Sequence, residues 1–101
     1  MIGIFTTGGT IDKAYFDANG EFAIGTSLLP ELLAEANIHA SAFDLRELMR
    51  KDSLEMTDED RQQVLAAARE CDCDRLVITH GTDTMADTAS VLSSLKDKTI
   101  V

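Results

Sequence analysis

Residues 75–84 read Arg75-Leu76-Val77-Ile78-Thr79-His80-Gly81-Thr82-Asp83-Thr84. The first half is short, apolar and β-branched, the composition of a buried strand. The second half crowds a glycine with hydroxyls and a carboxylate, the composition of a tight turn. Met85, Ala89, Leu92 and Leu95 then recur at helical spacing, and Thr99-Ile100-Val101 opens another strand. Upstream, Thr57-Asp58-Glu59-Asp60 sets a Thr three residues ahead of a carboxylate, with Val64, Leu65 and Ala68 behind it as an apolar face. That pattern predicts a capped helix running to about Glu70.

The same alternation continues toward the N-terminus. Arg50-Lys51-Asp52-Ser53-Leu54-Glu55-Met56 is polar and reads as a loop. Residues 38–48 carry Ile38, Ala40, Ala42, Phe43 and Leu45 in rough alternation, as a strand does. Ser27 is placed to cap a helix with Pro30 in its first turn, an apolar stripe of Leu29, Leu32, Leu33 and Ala36, and Asn37 as its stop. Residues 11–26 lack a helical period. There Asp17-Ala18-Asn19-Gly20 is a turn that would join Tyr15-Phe16 to Phe22-Ala23-Ile24 as a surface hairpin or lid. Gly3-Ile4-Phe5-Thr6-Thr7 is a second buried strand, ending at Gly8-Gly9. Strands alternating with helices over short connections predict an α/β fold, a parallel flavodoxin/Rossmann-like sheet with helices on both faces. We read residues 1–101 as one such domain. It closes on an opening strand, so we expect an incomplete domain, truncated at its C-terminus.

Composition narrows the function. The chain has 101 residues, with 9 Lys and Arg against 18 Asp and Glu, for a formal charge of −9. That balance argues against binding nucleic acid or anionic membranes, which require a basic face. Its longest apolar run, Val64-Leu65-Ala66-Ala67-Ala68, falls far short of the roughly 18 residues that suggest a membrane span. The N-terminus has no basic region ahead of an apolar one, so we expect a cytoplasmic protein. Cys71-Asp72-Cys73 has no second ligand pair and reads as structural, so neither a metal nor a cofactor is expected. His39 reads as structural, His80 as a satisfied side chain, and Asp58-Glu59-Asp60 as a solvated face.

Two segments stand apart: Thr6-Thr7-Gly8-Gly9-Thr10 and Thr79-His80-Gly81-Thr82-Asp83-Thr84. Each is a strand followed at once by a glycine turn rich in hydroxyls. Singly, such turns are ordinary punctuation and helix caps. As a pair at the carboxyl ends of neighbouring strands, they would bring Thr10, Thr82 and Asp83 to one crevice, where open parallel sheets bind ligands. Glycine lets the backbone approach a ligand closely, and a Thr hydroxyl becomes a nucleophile when a base is supplied.

Thr7-Gly8-Gly9-Thr10-Ile11 resembles the first signature of the L-asparaginase/glutaminase family, and His80-Gly81-Thr82-Asp83-Thr84-Met85 resembles the second. Lys51-Asp52-Ser53-Leu54-Glu55-Met56 is similar to the intervening loop, so the likeness covers nearly the whole chain as the N-terminal part of a short, cytoplasmic type I-like enzyme. The resemblance implies that Thr10 is the nucleophile that attacks a side-chain amide, and that Tyr15 is the lid residue bonded to it. It further implies that Thr82 is the second catalytic Thr and Asp83 its acidic partner, which also binds the substrate's α-ammonium. Ser53 would bind the α-carboxylate, with Asp52 and the Gly81 backbone beside it. The implied substrate is a small molecule, L-asparagine or a related amide, and the implied assembly is a homo-oligomer, a dimer or tetramer.

The chain departs from that pattern in three places. Asp12 stands where a small residue is usual, and Leu54 where many relatives have a polar one. The family's catalytic Lys lies downstream of the second signature, and none of Lys13, Lys51, Lys96 or Lys98 matches it. These 101 residues are therefore expected to carry the nucleophile and half a pocket without full activity. Two alternatives to an amidohydrolase follow: a non-catalytic amino-acid-binding or regulatory module, and the asparaginase-like subunit of a tRNA-dependent amidotransferase.

Overall fold

The computed structural model describes the backbone of residues 1–16, 21–24 and 27–101, and the side chains of these residues apart from Thr10, 13–16 and 21–24. In chain order the elements are β1 (Ile2–Gly8), a 3-10 turn (Thr10–Asp12), β2 (Lys13–Phe16), β3 (Glu21–Ile24), α1 (Leu29–Glu35) and a second 3-10 turn (Ala40–Ala42). They continue with β4 (Phe43–Lys51), a third 3-10 turn (Ser53–Glu55), α2 (Asp58–Glu70), β5 (Arg75–Thr79), α3 (Met85–Leu92) and β6 (Thr99–Ile100).

Four strands form one sheet in the order β4-β1-β5-β6, and every pair in it is parallel. The chain leaves β1 through α1 to reach β4 on one side. It then crosses back through α2 to β5 on the other side, and α3 carries it on to β6. Right-handed crossovers place α1 on one face of the sheet and α2 and α3 on the other. The winding direction therefore reverses between β1 and β5. This is the parallel α/β sheet, with helices on both faces, that the alternation of elements predicts. β2 and β3 form a separate antiparallel hairpin, Tyr15 opposite Phe22; its expected turn at 17–20 lies outside the described residues.

The core sits between the sheet and the α2/α3 layer, where Phe5, Met56, Val64, Leu65, Ala68, Cys71, Leu76 and Leu92 cluster. Phe5 and Leu76 come from the two central strands, which is why β1 and β5 read as continuous apolar runs. Thr57 caps α2 as its sequence predicts: its Oγ1 accepts the Asp60 N–H at 3.1 Å, and Asp60 Oδ2 accepts the Thr57 N–H at 2.9 Å. Asn37 stops α1 with φ at 60°, while the Asn37 and Ile38 N–H groups return to the carbonyls of Ala34 and Leu33.

Two local expectations are corrected. The strand predicted from 38 begins at Phe43, because His39 Nδ1 accepts the Ser41 N–H at 3.2 Å and closes a 3-10 turn first. It also extends through Lys51, which the polar composition assigned to a loop, because Lys51 still pairs with Gly8 of β1. Between the pairs Thr6–Glu47 and Gly8–Lys51, β1 advances two residues while β4 advances four. This irregularity swings the end of β4 over the end of β1.

Candidate active site

The three segments singled out in the sequence meet at the carboxyl end of the sheet. Thr6 of β1 lies opposite Thr79 of β5, and the Thr7 hydroxyl donates to the Thr79 carbonyl at 2.7 Å, tying the two strand ends together. Beyond them Gly8 and Gly9 have φ values of 107° and 92°, a region that other residues enter only with strain. The Gly9 N–H donates to the Lys51 carbonyl at 3.1 Å. A β-carbon on Gly9 would lie 2.7 Å from the Gly81 nitrogen, and one on Gly81 would lie 2.8 Å from Ser53 Oγ. Glycine is required at both positions because the turns and the loop touch backbone to backbone.

Ser53 is at the centre of this contact. Its side chain is buried, yet its Oγ has no hydrogen-bond partner among the described residues. Buried hydroxyls are nearly always paired, so an orphan at a crevice marks a place where a ligand group can bond. The loop around it is stiff. Asp52 Oδ1 accepts the Leu54 N–H at 3.0 Å, Glu55 Oε1 accepts the Asp52 N–H at 3.4 Å, and the Thr84 hydroxyl donates to the Ser53 carbonyl at 2.8 Å. Lys51 Nζ meets Asp60 Oδ2 at 2.7 Å and anchors the loop to the first turn of α2. That bond, together with the Thr57 N–H, holds the Asp60 carboxyl below the usual carboxylate range.

The remaining predicted residues lie on the same three segments, apart from Tyr15 in β2. Thr10 begins the 3-10 turn directly after Gly9, so its backbone is carried at the tip of β1; its side chain, like that of Tyr15 in β2, is outside the described residues. Thr82 and Asp83 are solvent-facing at the tip of β5, ahead of α3. Asp12, one of the family departures, is buried and accepts a hydrogen bond from Ser27 Oγ at 2.8 Å. It braces the segment that follows Thr10 against the start of α1. Leu54, another departure, is 73% exposed. Neither Lys51 nor Lys98 supplies a base here: the first is paired with Asp60, and Lys98 Nζ donates to the Cys71 and Cys73 carbonyls at the opposite end of the sheet. Cys71 belongs to the core, as its structural reading expects.

Three supporting residues escape a linear reading. Thr84 holds the Ser53 carbonyl, while Thr88 and Arg61 stand behind His80, with Arg61 Nε 3.2 Å and His80 Nε2 2.8 Å from Thr88 Oγ1. One sequence signal does point to Arg61. It occupies the inward stripe of α2 at the spacing 61, 64, 65, 68, and a lone charge there needs a buried partner. No helix among the described residues is long and apolar enough to cross a membrane.

Comparison with known proteins places these observations. Residues 1–101 match the family described as asparaginase, N-terminal. L-asparaginase 1 of Escherichia coli is 38% identical over 94 residues, an alignment that covers 86% of this chain and 27% of that protein. Among solved structures, the thermostable L-asparaginase from Thermococcus kodakarensis superposes with a TM-score of 0.74 at 32% identity, covering 93% of this chain and 29% of that one. L-asparaginase I from Vibrio cholerae gives 0.66 at 36% identity, covering 91% and 29%. A probable cytoplasmic L-asparaginase from Campylobacter jejuni gives 0.63 at 31% identity, covering 87% and 29%. The chain thus spans a little over a quarter of the length of the relatives it matches.

Proposed function

Because the chain belongs to the asparaginase family, matching its N-terminal part from end to end, we propose that it forms the nucleophile-bearing half of an L-asparagine amidohydrolase site. The observation that carries this reading is the contact of Gly9, Gly81 and Ser53 around a buried, unpaired hydroxyl. The Thr10 hydroxyl attacks the side-chain amide carbon, the C–N bond breaks, and the NH2 group leaves as ammonia by gaining the one proton that the Thr10 hydroxyl gives up. Water then hydrolyses the β-aspartyl ester, freeing L-aspartate and restoring the Thr10 hydroxyl. Ser53 Oγ donates to the substrate's α-carboxylate, with Asp52 and the Gly81 backbone shaping that end of the pocket. Asp83 receives the α-ammonium, Thr82 is the second catalytic Thr, and Tyr15 is the lid residue hydrogen-bonded to Thr10.

Proton removal needs a base, and neither Lys51 nor Lys98 is available for it. Turnover is therefore proposed for the whole enzyme, acting as a cytoplasmic homo-oligomer, a dimer or tetramer. The experiment is ammonia release from L-asparagine by the full protein. Thr10→Ala is expected to lower the rate by about 10³-fold or more, as loss of a covalent nucleophile does. An intact rate would reject the nucleophile assignment. L-aspartate binding with no turnover would favour a regulatory module.

A further inference from the structure

Behind the second glycine turn runs a polar chain whose buried members, Arg61 and Thr88, belong to no signature. Arg61 is 7% exposed and Thr88 2% exposed. Arg61 Nε donates to Thr88 Oγ1 at 3.2 Å, Thr88 Oγ1 lies 2.8 Å from His80 Nε2, and His80 Nδ1 lies 2.6 Å from the Gly81 carbonyl oxygen. A carbonyl oxygen carries no proton, so in the neutral imidazole Nδ1 must be the protonated nitrogen. Nε2 is then an acceptor and takes the Thr88 hydroxyl proton. Thr88 Oγ1 accepts from Arg61 Nε through one of its two lone pairs, and its own proton is left for His80 Nε2. Every bond therefore runs in one direction, from Arg61 through Thr88 and His80 to Gly81.

We propose that Arg61, acting through Thr88, seats the His80 ring whose tautomer the Gly81 carbonyl selects, and that these three are positioning residues holding the Gly81 turn against Ser53. The inference rests on the proposed amino-acid site. The Gly81–Thr82 peptide is trans, so gripping its carbonyl from behind fixes the Thr82 N–H on the opposite side of the turn. The same grip keeps the Gly81 α-carbon where only a hydrogen fits beside Ser53 Oγ. An Arg buried at an inward helical position is costly unless its donors are used: Nη1 lies 3.5 Å from the Met56 carbonyl and 3.5 Å from Asp58 Oδ1, while Nε serves the turn through Thr88 and His80.

The test is a long-range proton–nitrogen correlation spectrum of the full protein, recorded at a pH where the spectrum itself shows neutral imidazoles, with L-aspartate binding measured by calorimetry. His80 is expected as the Nδ1–H tautomer. His39, whose Nδ1 accepts the Ser41 N–H, is expected as the Nε2–H tautomer and serves as the internal control. Thr88→Val is expected to leave His80 Nε2 without its partner, shift that nitrogen's resonance, and weaken L-aspartate binding by about tenfold, the effect of one positioning hydrogen bond. Thr88→Ser is expected to restore both. An Nε2–H tautomer at His80 in the unaltered protein, which needs no variant to fold, would overturn the inference, as would wild-type affinity in Thr88→Val. Should the unaltered protein bind no L-aspartate, the substrate reading fails. The positioning inference is then decided by the tautomer and by whether the Gly81 and Thr82 amide resonances move in Thr88→Val and return in Thr88→Ser.

Discussion

Gly81 lies against Ser53 so closely that a β-carbon on it would sit 2.8 Å from Ser53 Oγ and 2.9 Å from Ser53 Cβ. Neither atom has room to retreat, because Ser53 is buried and its carbonyl is held by Thr84. Gly81→Ala should therefore destabilise the fold by about 1–3 kcal/mol through overpacking and shift the loop at Ser53. Urea unfolding and L-aspartate titration measure the two effects, and both are expected to fall together.

Ser53 separates binding from stability. Its hydroxyl is buried and unpaired, so removing it takes away no bond in the unliganded protein. Ser53→Ala should leave unfolding stability within about 0.5 kcal/mol of the original, or raise it, since an unsatisfied polar group is lost. Affinity for L-aspartate should nevertheless drop by about tenfold to a hundredfold, the worth of a hydrogen bond to a carboxylate. Thermal denaturation beside calorimetric titration makes the comparison.

The Lys51–Asp60 contact, 2.7 Å between Nζ and Oδ2, predicts an acid-side loss of stability. The Asp60 carboxyl titrates below its ordinary range because Lys51 and the Thr57 N–H bond its charged form. A depressed folded-state value means that the contribution is present above the unfolded value of about 4 and is lost as pH falls through the lower folded one. Urea midpoints between about pH 5 and pH 2 should fall less steeply in Asp60→Asn than in the unaltered protein.

Leu76, 1% exposed on β5, packs in the core beneath the second turn. Leu76→Ala should cost about 2–5 kcal/mol, the usual range for a truncated core leucine. For a domain whose whole stability is about 5–15 kcal/mol, that is enough to lower the thermal midpoint strongly in a calorimetric scan.

Much of this was legible in the chain because it is local. The Thr57 cap, the Asn37 stop, the β5 run and the two glycine turns each depend on residues within a few positions of one another. That the turns would share a crevice follows from the winding rule once β1 and β5 are neighbours. The start of β4 was not legible, because pairing with β1 rather than alternation decides that Phe43 opens the strand. Likewise Arg61, Thr88 and His80 are spread over α2, α3 and the turn between β5 and α3, and no spacing rule joins them. Met85, expected on the inward stripe, is 41% exposed, while Thr88 takes the buried place because His80 and Arg61 give its hydroxyl partners.

The threonine of the first turn, rather than that of the second, is expected to take up the acyl group. The decisive measurement is acid-quenching of the full protein during turnover of L-asparagine, followed by peptide mapping. A β-aspartyl group is expected on the peptide carrying Thr10 and absent in Thr10→Ala. Acylation of the peptide carrying Thr82, or unchanged acylation in Thr10→Ala, would reject Thr10 as the nucleophile.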